Sequence, residues 1–455
     1  MLRNKKFKCL ALVLIFILIS SSLVFAEPVQ KDLFNEVSKD AIFDHIKALV
    51  RADEDNPNGV DNARVTGFPG EHMAADYIEE QFKSYGLEVE RQEFPILAFL
   101  SHGTEVSVSG TVYESKSFTF TPPTAEEGVS AELVYANLGS QEDFEKIDVR
   151  GKIALIKRGT YTFYDKTQNA AAAGAVGAII FNNSTGIISG TLGSPTDIPV
   201  VALTQEDGEE LVKLLNNSEV LEATIKAMTE LEDSFSQNII ATLKANRGNK
   251  DAQTIVIGAH YDGVDVPAAN DNASGTATML EIARVLSKQK LAYDIKFIAF
   301  GAEEVGLVGS WEYVESLSEK ELGNIVAMLN MDMVGVGNTM GVMTVSENAK
   351  SFIADLAEVY IKKFGHRYNR GTSSASDHAP FESYGVPVVF LNYGPDPYYH
   401  TDQDSLDKIE KDKLYNMGSL VTAMIYDMAK TPMPKAERGR KAKVNKYHNP
   451  ETPME

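Results

Sequence analysis

The stretch TIVIGAHYD, residues 254–262, decides the fold. Residues 254–259 form a β-rich apolar run, which predicts a short buried strand. A helix with one apolar face follows at 274–287, and polar residues begin where the strand ends, at His260 and Asp262. A buried strand, a polar loop and an amphipathic helix in this order are typical of one βα unit in a parallel sheet.

The alternation of strand and helix continues through the segment 236–430. Further apolar runs predict strands, and apolar residues at helical spacing predict helices. The predicted strands are 295–300, 325–331 and 386–391, and the predicted helices are 307–317, 351–364 and 411–428. Helices of this length between strands indicate a mainly parallel mixed sheet covered on both faces, so we expect an α/β protein with α/β/α layers.

Side chains that carry chemistry follow the carboxyl ends of the four predicted strands. They are His260 and Asp262 after the first strand, Asp271 in the loop beyond it, Glu303 and Glu304 after the second, Asp332 after the third, and Tyr399 and His400 after the fourth. In open α/β sheets the ligand crevice lies outside the carboxyl ends of the strands. We therefore expect these side chains to converge on one crevice.

The residue types in this set favour a metal centre. Imidazole and carboxylate ligands without a thiolate suit zinc, with manganese and cobalt as weaker alternatives. A catalytic zinc normally takes about three ligands from the protein, and the set is larger than that. Two ions that share a bridging carboxylate fit the number of ligands. The predicted metal ligands are His260, Asp271, Glu304, Asp332 and His400.

Three further residues are predicted to act without binding metal. Glu303 is the candidate general base, because it lies beside Glu304 and can move a proton from water to a leaving amine. Asp262 can accept a hydrogen bond from the second ring N–H of His260 and so orient the ring. Tyr399 can donate a hydrogen bond to a developing oxyanion.

Each motif taken alone has a plainer explanation. A His-x-Asp at a strand end is often a structural pair, a Glu-Glu is usually the solvated start of a helix, and Asn-Asp-Asn normally marks a turn. Their joint occurrence at successive strand ends outweighs these explanations. His378 would lie near the crevice, but we assign it a supporting role and leave it out of the metal ligands.

Residues 1–26 have the pattern of a secretory signal peptide. Basic residues precede an apolar run from Cys9 to Phe25, and Ala26 completes a small-residue cleavage site. The alternative is an uncleaved N-terminal anchor. Because Cys9 is the only cysteine, a mature chain without this segment would have neither disulfides nor a catalytic thiol. We therefore expect a secreted protein with no stable membrane span after cleavage.

The net charge of −21 describes an acidic protein, which repels nucleic acid. Basic residues crowd one short segment, 431–455: Lys435, Arg438, Arg440, Lys441, Lys443 and Lys446. The favoured interpretation is a disordered, solvated tail. The alternative is weak electrostatic association with an anionic cell wall or membrane face.

The segment 111–235 predicts a compact inserted domain with its own core. Helices are predicted before it at 34–52 and 70–85, and strands at 87–95 and 104–119. Within it, the predicted strands are 151–156, 178–181 and 199–203, and the predicted helices are 169–177 and 206–215. The stretch GKIALIKRG at 151–159, with Lys166 and the Ala-rich run after it, resembles the protease-associated (PA) domain found within secreted peptidases.

Six short motifs resemble peptidase family M28, the co-catalytic zinc aminopeptidases. They are AHYD at 259–262, NDNASG at 270–275, GAEE at 301–304, NMDM at 330–333, SDH at 376–378 and YHT at 399–401. The resemblance covers the C-terminal half of the chain and, more weakly, residues 64–94. It implies a three-layer zinc-exopeptidase fold and two Zn²⁺ per chain.

The resemblance also assigns each ligand to one ion. It implies one zinc on His260 and Asp332, a second on Glu304 and His400, and Asp271 as the bridge between them. It implies Glu303 as the general acid/base and a cis peptide bond after Asp271. The predicted organisation is a signal peptide at 1–26, an N-terminal part of the peptidase domain at 27–110, the PA domain at 111–235, the catalytic domain at 236–430 and the basic tail at 431–455.

With the inserted domain, the architecture resembles secreted bacterial leucyl/arginyl-type aminopeptidases. We therefore predict a monomeric, secreted metallo-aminopeptidase that hydrolyses the N-terminal bond of peptides with a free N-terminus. The alternatives are a glutaminyl cyclase-like aminoacyltransferase with a single zinc and a non-catalytic surface binding protein. The complete set of five ligands argues against both. The sequence contains no Gly-x-Ser-x-Gly motif, which argues against a serine hydrolase.

Overall fold

The computed structural model describes residues 33, 35–51, 63–217, 219–246 and 252–430. The predicted signal peptide and the predicted basic tail therefore lie outside the described residues. Within the described part of the chain, no helix combines the length and the apolar character that crossing a membrane requires.

The strands, in chain order, have the following bounds: β1 Glu88–Val108, β2 Thr111–Tyr113, β3 Lys116–Ser117, β4 Val129–Tyr135, β5 Ile153–Lys157, β6 Gly177–Phe181, β7 Val200–Leu203, β8 Glu222–Leu243, β9 Thr254–His260, β10 Asp294–Phe300, β11 Ile325–Met331, β12 Thr339–Thr344, β13 Tyr368–Thr372 and β14 Val388–Gly394.

The α-helices, in chain order, have the following bounds: α1 Lys39–Val50, α2 Pro69–Ser84, α3 Gln141–Phe144, α4 Phe163–Ala172, α5 Gln205–Asn216, α6 Gly275–Leu286, α7 Val308–Ser316, α8 Glu319–Asn324, α9 Phe352–Lys363, α10 His378–Ser383 and α11 Lys411–Ala429. We call β9–β14 with α1, α2 and α6–α11 the larger part, and β2–β7 with α3–α5 the inserted part.

The sheet of the larger part has the strand order β13-β12-β14-β11-β9-β10-β8. Strand β9 pairs in parallel with β10 and β11, and β11 pairs in parallel with β14. The pairs β8–β10 and β12–β14 are antiparallel. This mixed, mainly parallel sheet confirms the predicted α/β fold.

Both faces of this sheet are covered, and the residues of β9 show how. Ile255 and Ile257 belong to a core with α1, α2, α6, α9 and α11, whereas Val256 belongs to a second core with α7 and α10. Successive side chains of a strand point to opposite faces, so an unbroken apolar run is needed when both faces are buried. This is why the run at 254–259 contains no polar alternation.

The sheet continues from β8 into the inserted part, because β4 pairs antiparallel with β8. Strand β5 pairs in parallel with β4 and β6, β6 pairs in parallel with β7, and the short β3 closes the edge antiparallel to β7. Separate apolar cores lie on its two faces, one built around Ile156 and Ile180, the other around Leu155 and Ile179. The segment boundaries at 110 and 235 stay a prediction.

A long two-stranded ribbon joins the two parts. Strands β1 and β8 pair antiparallel from Glu88 with Thr242 to Val108 with Ala223, with one irregularity between Ser101 and Thr104. The sequence predicts two shorter strands at 87–95 and 104–119. In the structure, the single strand β1 runs from Glu88 to Val108 and spans the gap between them. The stretch between them extends because β8 supplies a partner that local sequence does not reveal.

One predicted helix has different bounds in the structure, and two strands were not predicted. The helix predicted at 169–177 is α4, which begins earlier because the Thr162 side chain accepts a hydrogen bond from the Asp165 N–H. It ends earlier because Gly174 has a φ of +93°. Strands β12 and β13 were not predicted. β13 is the partly exposed edge strand, where the apolar pattern is weak, and β12 is a six-residue, largely buried strand between β13 and β14.

The structure predicts that a side chain at Gly258 is not tolerated. A Cβ atom there would lie 2.6 Å from a Phe300 ring carbon and 2.9 Å from the Met328 methyl. Gly258→Val should therefore lower the free energy of unfolding by about 1–3 kcal/mol or more, measured by urea denaturation. Thr111→Val, at an exposed strand position, is the control and should change it by less than about 0.5 kcal/mol. An unchanged midpoint for Gly258→Val would contradict this packing.

Candidate metal centre

Strand ends bring the predicted ligands together. His260 is the last residue of β9, Asp332 directly follows β11, and Glu304 lies in the loop after β10. His400 lies in the loop after β14, and Asp271 lies in the turn Ala269–Ser274 that precedes α6, with a non-helical backbone (φ −109°, ψ 90°). The carboxyl ends of parallel neighbours meet at the same edge of the sheet, so residues far apart in sequence share one crevice.

The ligands form two groups that share Asp271. His260, Asp271 and Asp332 form one group, and Asp271, Glu304 and His400 form the other. The Nε2 atom of His260 lies 3.3 Å from both Asp271 Oδ1 and Asp332 Oδ1. The Nε2 atom of His400 lies 3.0 Å from Asp271 Oδ2 and 3.1 Å from Glu304 Oε2. One carboxylate oxygen of Asp271 thus faces each group, which is the arrangement of a bridging ligand.

The donor set fits two zinc ions. Each group offers one imidazole nitrogen and carboxylate oxygens, the ligands that zinc takes when no thiolate is present. Among the described residues, several buried atoms of these groups have no hydrogen-bond partner: His260 Nε2, Asp332 Oδ1, His400 Nε2 and Glu304 Oε1. Buried polar atoms without partners are costly, and a cation in each group would satisfy the two atoms that belong to it.

The crevice holds more carboxylates than imidazoles. Burial raises the pKa of Glu303 well above its usual range, His260 opposes this, and neighbouring carboxylates including Glu304 raise it further. Burial likewise raises the pKa of Glu304 and of Asp332. Burial opposes a charged His400, but Glu304 and Asp271 outweigh it and raise the pKa of His400 to about 11. The crevice therefore favours bound positive charge, either protons or metal cations.

The Asp262 carboxylate holds the loop that carries both glutamates. Its Oδ1 accepts the Glu303 N–H at 3.1 Å, and its Oδ2 accepts the Glu304 N–H at 3.2 Å and the Thr66 hydroxyl at 2.7 Å. The Nδ1 atom of His260 lies 3.3 Å from the backbone oxygen of Asp262 and 3.7 Å from its carboxylate Oδ1. Asp262 thus contacts the His260 ring through its backbone and positions the glutamates through its carboxylate.

Glu303 and Tyr399 line the open side of the crevice. Glu303 groups with His260 and Glu304, close enough for its carboxylate to reach the same ligand. Tyr399 is 51% exposed, and its ring stacks on the His400 ring with centroids 3.8 Å apart. Both line a cleft of about 320 Å³ with Asp271 and Asp332.

The structure adds positioning residues that the sequence did not predict. Asp404 accepts the Asn270 N–H at 2.7 Å and the Asp271 N–H at 3.0 Å, so it fixes the backbone of the bridging residue. The Ser376 hydroxyl donates to Asp332 Oδ2 at 2.8 Å. Ser376 belongs to the SDH motif and could have been found there, whereas Asp404 follows His400 without a recognisable pattern.

Arg64 is a buried clamp on the loop after β9. Its guanidinium donates to the carbonyl oxygens of Tyr261 and Ala268, each at 2.7 Å, and to that of Pro267 at 3.3 Å. The weaker part of the family resemblance begins at this residue, but no pattern gave it a role, because these partners are backbone oxygens about 200 positions away in the chain. It fixes the path of the chain between His260 and Asp271.

His378 lies beside the crevice but outside both ligand groups. It is buried, its Nε2 atom lies 2.8 Å from the backbone oxygen of Ser373, and its ring packs on Phe390. Burial lowers the pKa of His378 to about 4, so it is neutral at pH 7. The peptide bond between Asp271 and Asn272 is cis, as the family resemblance implied.

Comparison with known proteins identifies the class. A family model described as peptidase family M28 matches residues 238–425, and a PA domain model matches residues 129–211. Aminopeptidase YwaD of Bacillus subtilis (strain 168) is 38% identical over 382 residues, which are 81% of this chain and 81% of that protein.

Solved structures agree with this match. An aminopeptidase from Aneurinibacillus sp. strain AM-1 superposes with a TM-score of 0.78 at 36% identity and covers 88% of this chain and 98% of its own. BSAP, a zinc aminopeptidase from Bacillus subtilis, superposes with a TM-score of 0.72 at 35% identity over 88% of this chain and 97% of its own. The chain belongs to peptidase family M28 and contains a PA domain. Its family and relatives support a metallo-aminopeptidase function.

We predict that Asp404→Asn weakens the metal centre without unfolding the protein. An amide nitrogen cannot accept the hydrogen bond that one Asp404 oxygen now accepts, so the Asp271 backbone loses a fixed position. Zinc affinity should fall by about 10–100-fold, measured by competition with a chromogenic chelator. Asp412→Asn, which alters an exposed ion pair with Lys39, is the control and should match the wild type. Equal affinity in both variants would contradict the assigned role of Asp404.

Proposed function

We propose that this protein is a co-catalytic di-zinc aminopeptidase that hydrolyses the N-terminal bond of peptides. One site would be formed by His260 and Asp332 and the other by Glu304 and His400, with Asp271 shared. Bound there, two zinc ions would act as Lewis acids that activate water and polarise the peptide carbonyl. The observation that carries this proposal is the Asp271 carboxylate, which turns one oxygen towards each histidine.

Glu303 is proposed to move the proton. Its carboxylate lies close to His260 and Glu304. Glu303 does not belong to either of the two ligand groups that contain Asp271, so it is free to carry a proton. The raised pKa of Glu303 suits a group that accepts a proton from the attacking water and returns it to the leaving amine. The hydrogen bond from the Glu303 N–H to Asp262 keeps its backbone in place during this transfer.

The cleft of about 320 Å³ is proposed to receive the N-terminal residue. Its walls combine the metal-centre carboxylates with the apolar side chains of Met333, Phe390 and Pro395. The carboxylates would attract the free α-ammonium group of a substrate, and the apolar wall would contact its first side chain. Tyr399, at the same cleft, is proposed to donate a hydrogen bond to the oxyanion.

We propose further that the mature enzyme is monomeric and secreted after removal of residues 1–26. Weak association with an anionic cell wall through the basic tail is the alternative to a free, solvated tail. Both segments lie outside the described residues, and these proposals rest on the sequence patterns alone.

Removing the metal should destabilise the protein as well as inactivate it. Chelation would leave the buried carboxylates facing each other, so the melting temperature should fall, and added Zn²⁺ should raise it again by mass action. Metal analysis of the restored protein should give about two zinc ions per chain. One tightly bound zinc together with glutaminyl cyclase activity would favour the alternative function instead.

Glu303→Gln should separate chemistry from metal binding. The amide cannot take up a proton, so kcat on leucine p-nitroanilide should fall by about 10²–10⁴-fold while zinc content stays unchanged. Glu304→Gln should instead lose zinc, and the exposed Glu312→Gln should behave as the wild type. If Glu303→Gln empties the metal centre, the division of roles between the two glutamates is wrong.

A further inference from the structure

A second cleft, of about 350 Å³, lies between the larger and inserted parts and reaches the metal centre. Glu304 and His400 belong to its lining, and so do Lys116 and Ser189 of the inserted part. Glu304 also lines the cleft proposed for the N-terminal residue, so the two clefts meet at the metal centre. A peptide whose first residue occupies one cleft can therefore continue into the other.

The inserted part forms a fixed wall of this second cleft. Val305, the residue after Glu304, packs on the apolar core of the inserted part. The Ser117 hydroxyl donates to Ser101 of the ribbon at 2.8 Å, and Lys116 is paired with Ala202 in the sheet. Lys116 therefore projects from a strand that is tied to both neighbours rather than from a loose loop.

Among the described residues that line this cleft, Lys116 is the one lysine or arginine. Its Nζ donates to Ser189 Oγ at 3.1 Å, and no carboxylate of the described residues lies within 4 Å of it. An ammonium group has three N–H donors, so two remain for a ligand. Burial lowers the pKa of Lys116 and the Asp402 carboxylate partly offsets this, so an anionic ligand would stabilise the charged form.

We propose that Lys116 binds the C-terminal carboxylate of a short peptide whose N-terminal bond lies at the metal centre. This inference rests on the proposed aminopeptidase function and deepens it. A short peptide is a zwitterion: the metal-centre carboxylates attract its ammonium end, and Lys116 attracts its carboxylate end. The second cleft would then make the enzyme prefer oligopeptides of limited length with a free C-terminus over long or C-terminally blocked chains.

The test compares free acids with amides. The zinc-loaded full-length enzyme is assayed on leucine followed by one to four glycines, each peptide as its free acid and as its C-terminal amide. The wild type should favour the acid by about tenfold in kcat/KM at one peptide length, mainly through KM, as expected for one charge-assisted hydrogen bond. The ratio of acid to amide within one variant cancels any effect on folding or zinc loading.

Three variants test whether Lys116 causes the preference for the free acid over the amide. Lys116→Gln should bring the ratio of acid to amide close to one, and Lys116→Arg should keep most of the preference because it keeps the charge. Lys152→Gln, which removes a lysine of the inserted part that pairs with Glu132 outside the cleft, is the matched control and should keep the wild-type ratio.

Two results would overturn the proposal: a wild-type ratio near one at every length, or a preference that survives in Lys116→Gln. A third result would also overturn it: equal kcat/KM for acid and amide, together with a higher kcat/KM when a glutamate replaces a glycine inside the amidated peptide. Lys116 would then bind a substrate side chain and not the C-terminal carboxylate. Failure of the proposed function is distinguishable, because the wild type would then not hydrolyse leucine p-nitroanilide at all.

Discussion

Four carboxylates, those of Asp271, Glu303, Glu304 and Asp332, share one buried crevice with only two imidazoles, and the rest of the structure depends on holding them there. Like charges at this range repel strongly when water is excluded. The fold supplies the scaffold by ending neighbouring strands at the same edge of the sheet. Asp271 turns one oxygen towards His260 and the other towards His400, and this geometry supports the proposal of two cation sites.

Holding these side chains requires a layer of support behind them. The Asp404 carboxylate fixes the Asp271 backbone, the Asp262 carboxylate fixes the Glu303 and Glu304 backbones, and Arg64 clamps the loop between His260 and Asp271. Each supporting side chain is buried, and the backbone groups that it positions are also its hydrogen-bond partners. Buried networks of this kind are rigid when complete, which suits the two cations that we propose for this site.

The sequence predicted which side chains would converge on the crevice better than it predicted the strands of the sheet. The strand before His260 and the helix after Asp271 are local patterns, so their order placed the ligands at strand ends without tertiary information. The ribbon β1–β8, the edge strand β13 and its neighbour β12 depend on distant partners and were missed or divided. Asp404 and Arg64 were missed for the same reason, since each acts on backbone groups more than 100 residues away in the chain.

The inserted part forms one wall of the second cleft, and Lys116 is the one lysine among the described residues of that lining. We propose that this wall limits which peptides reach the metal centre. The central claim nevertheless concerns the metal pair. Anomalous diffraction at the zinc edge, on crystals of the zinc-loaded protein, tests it most directly. The account predicts two peaks about 3.5–4 Å apart, one on each side of Asp271. A single peak between His260 and His400, or two peaks that Asp271 does not bridge, would contradict it.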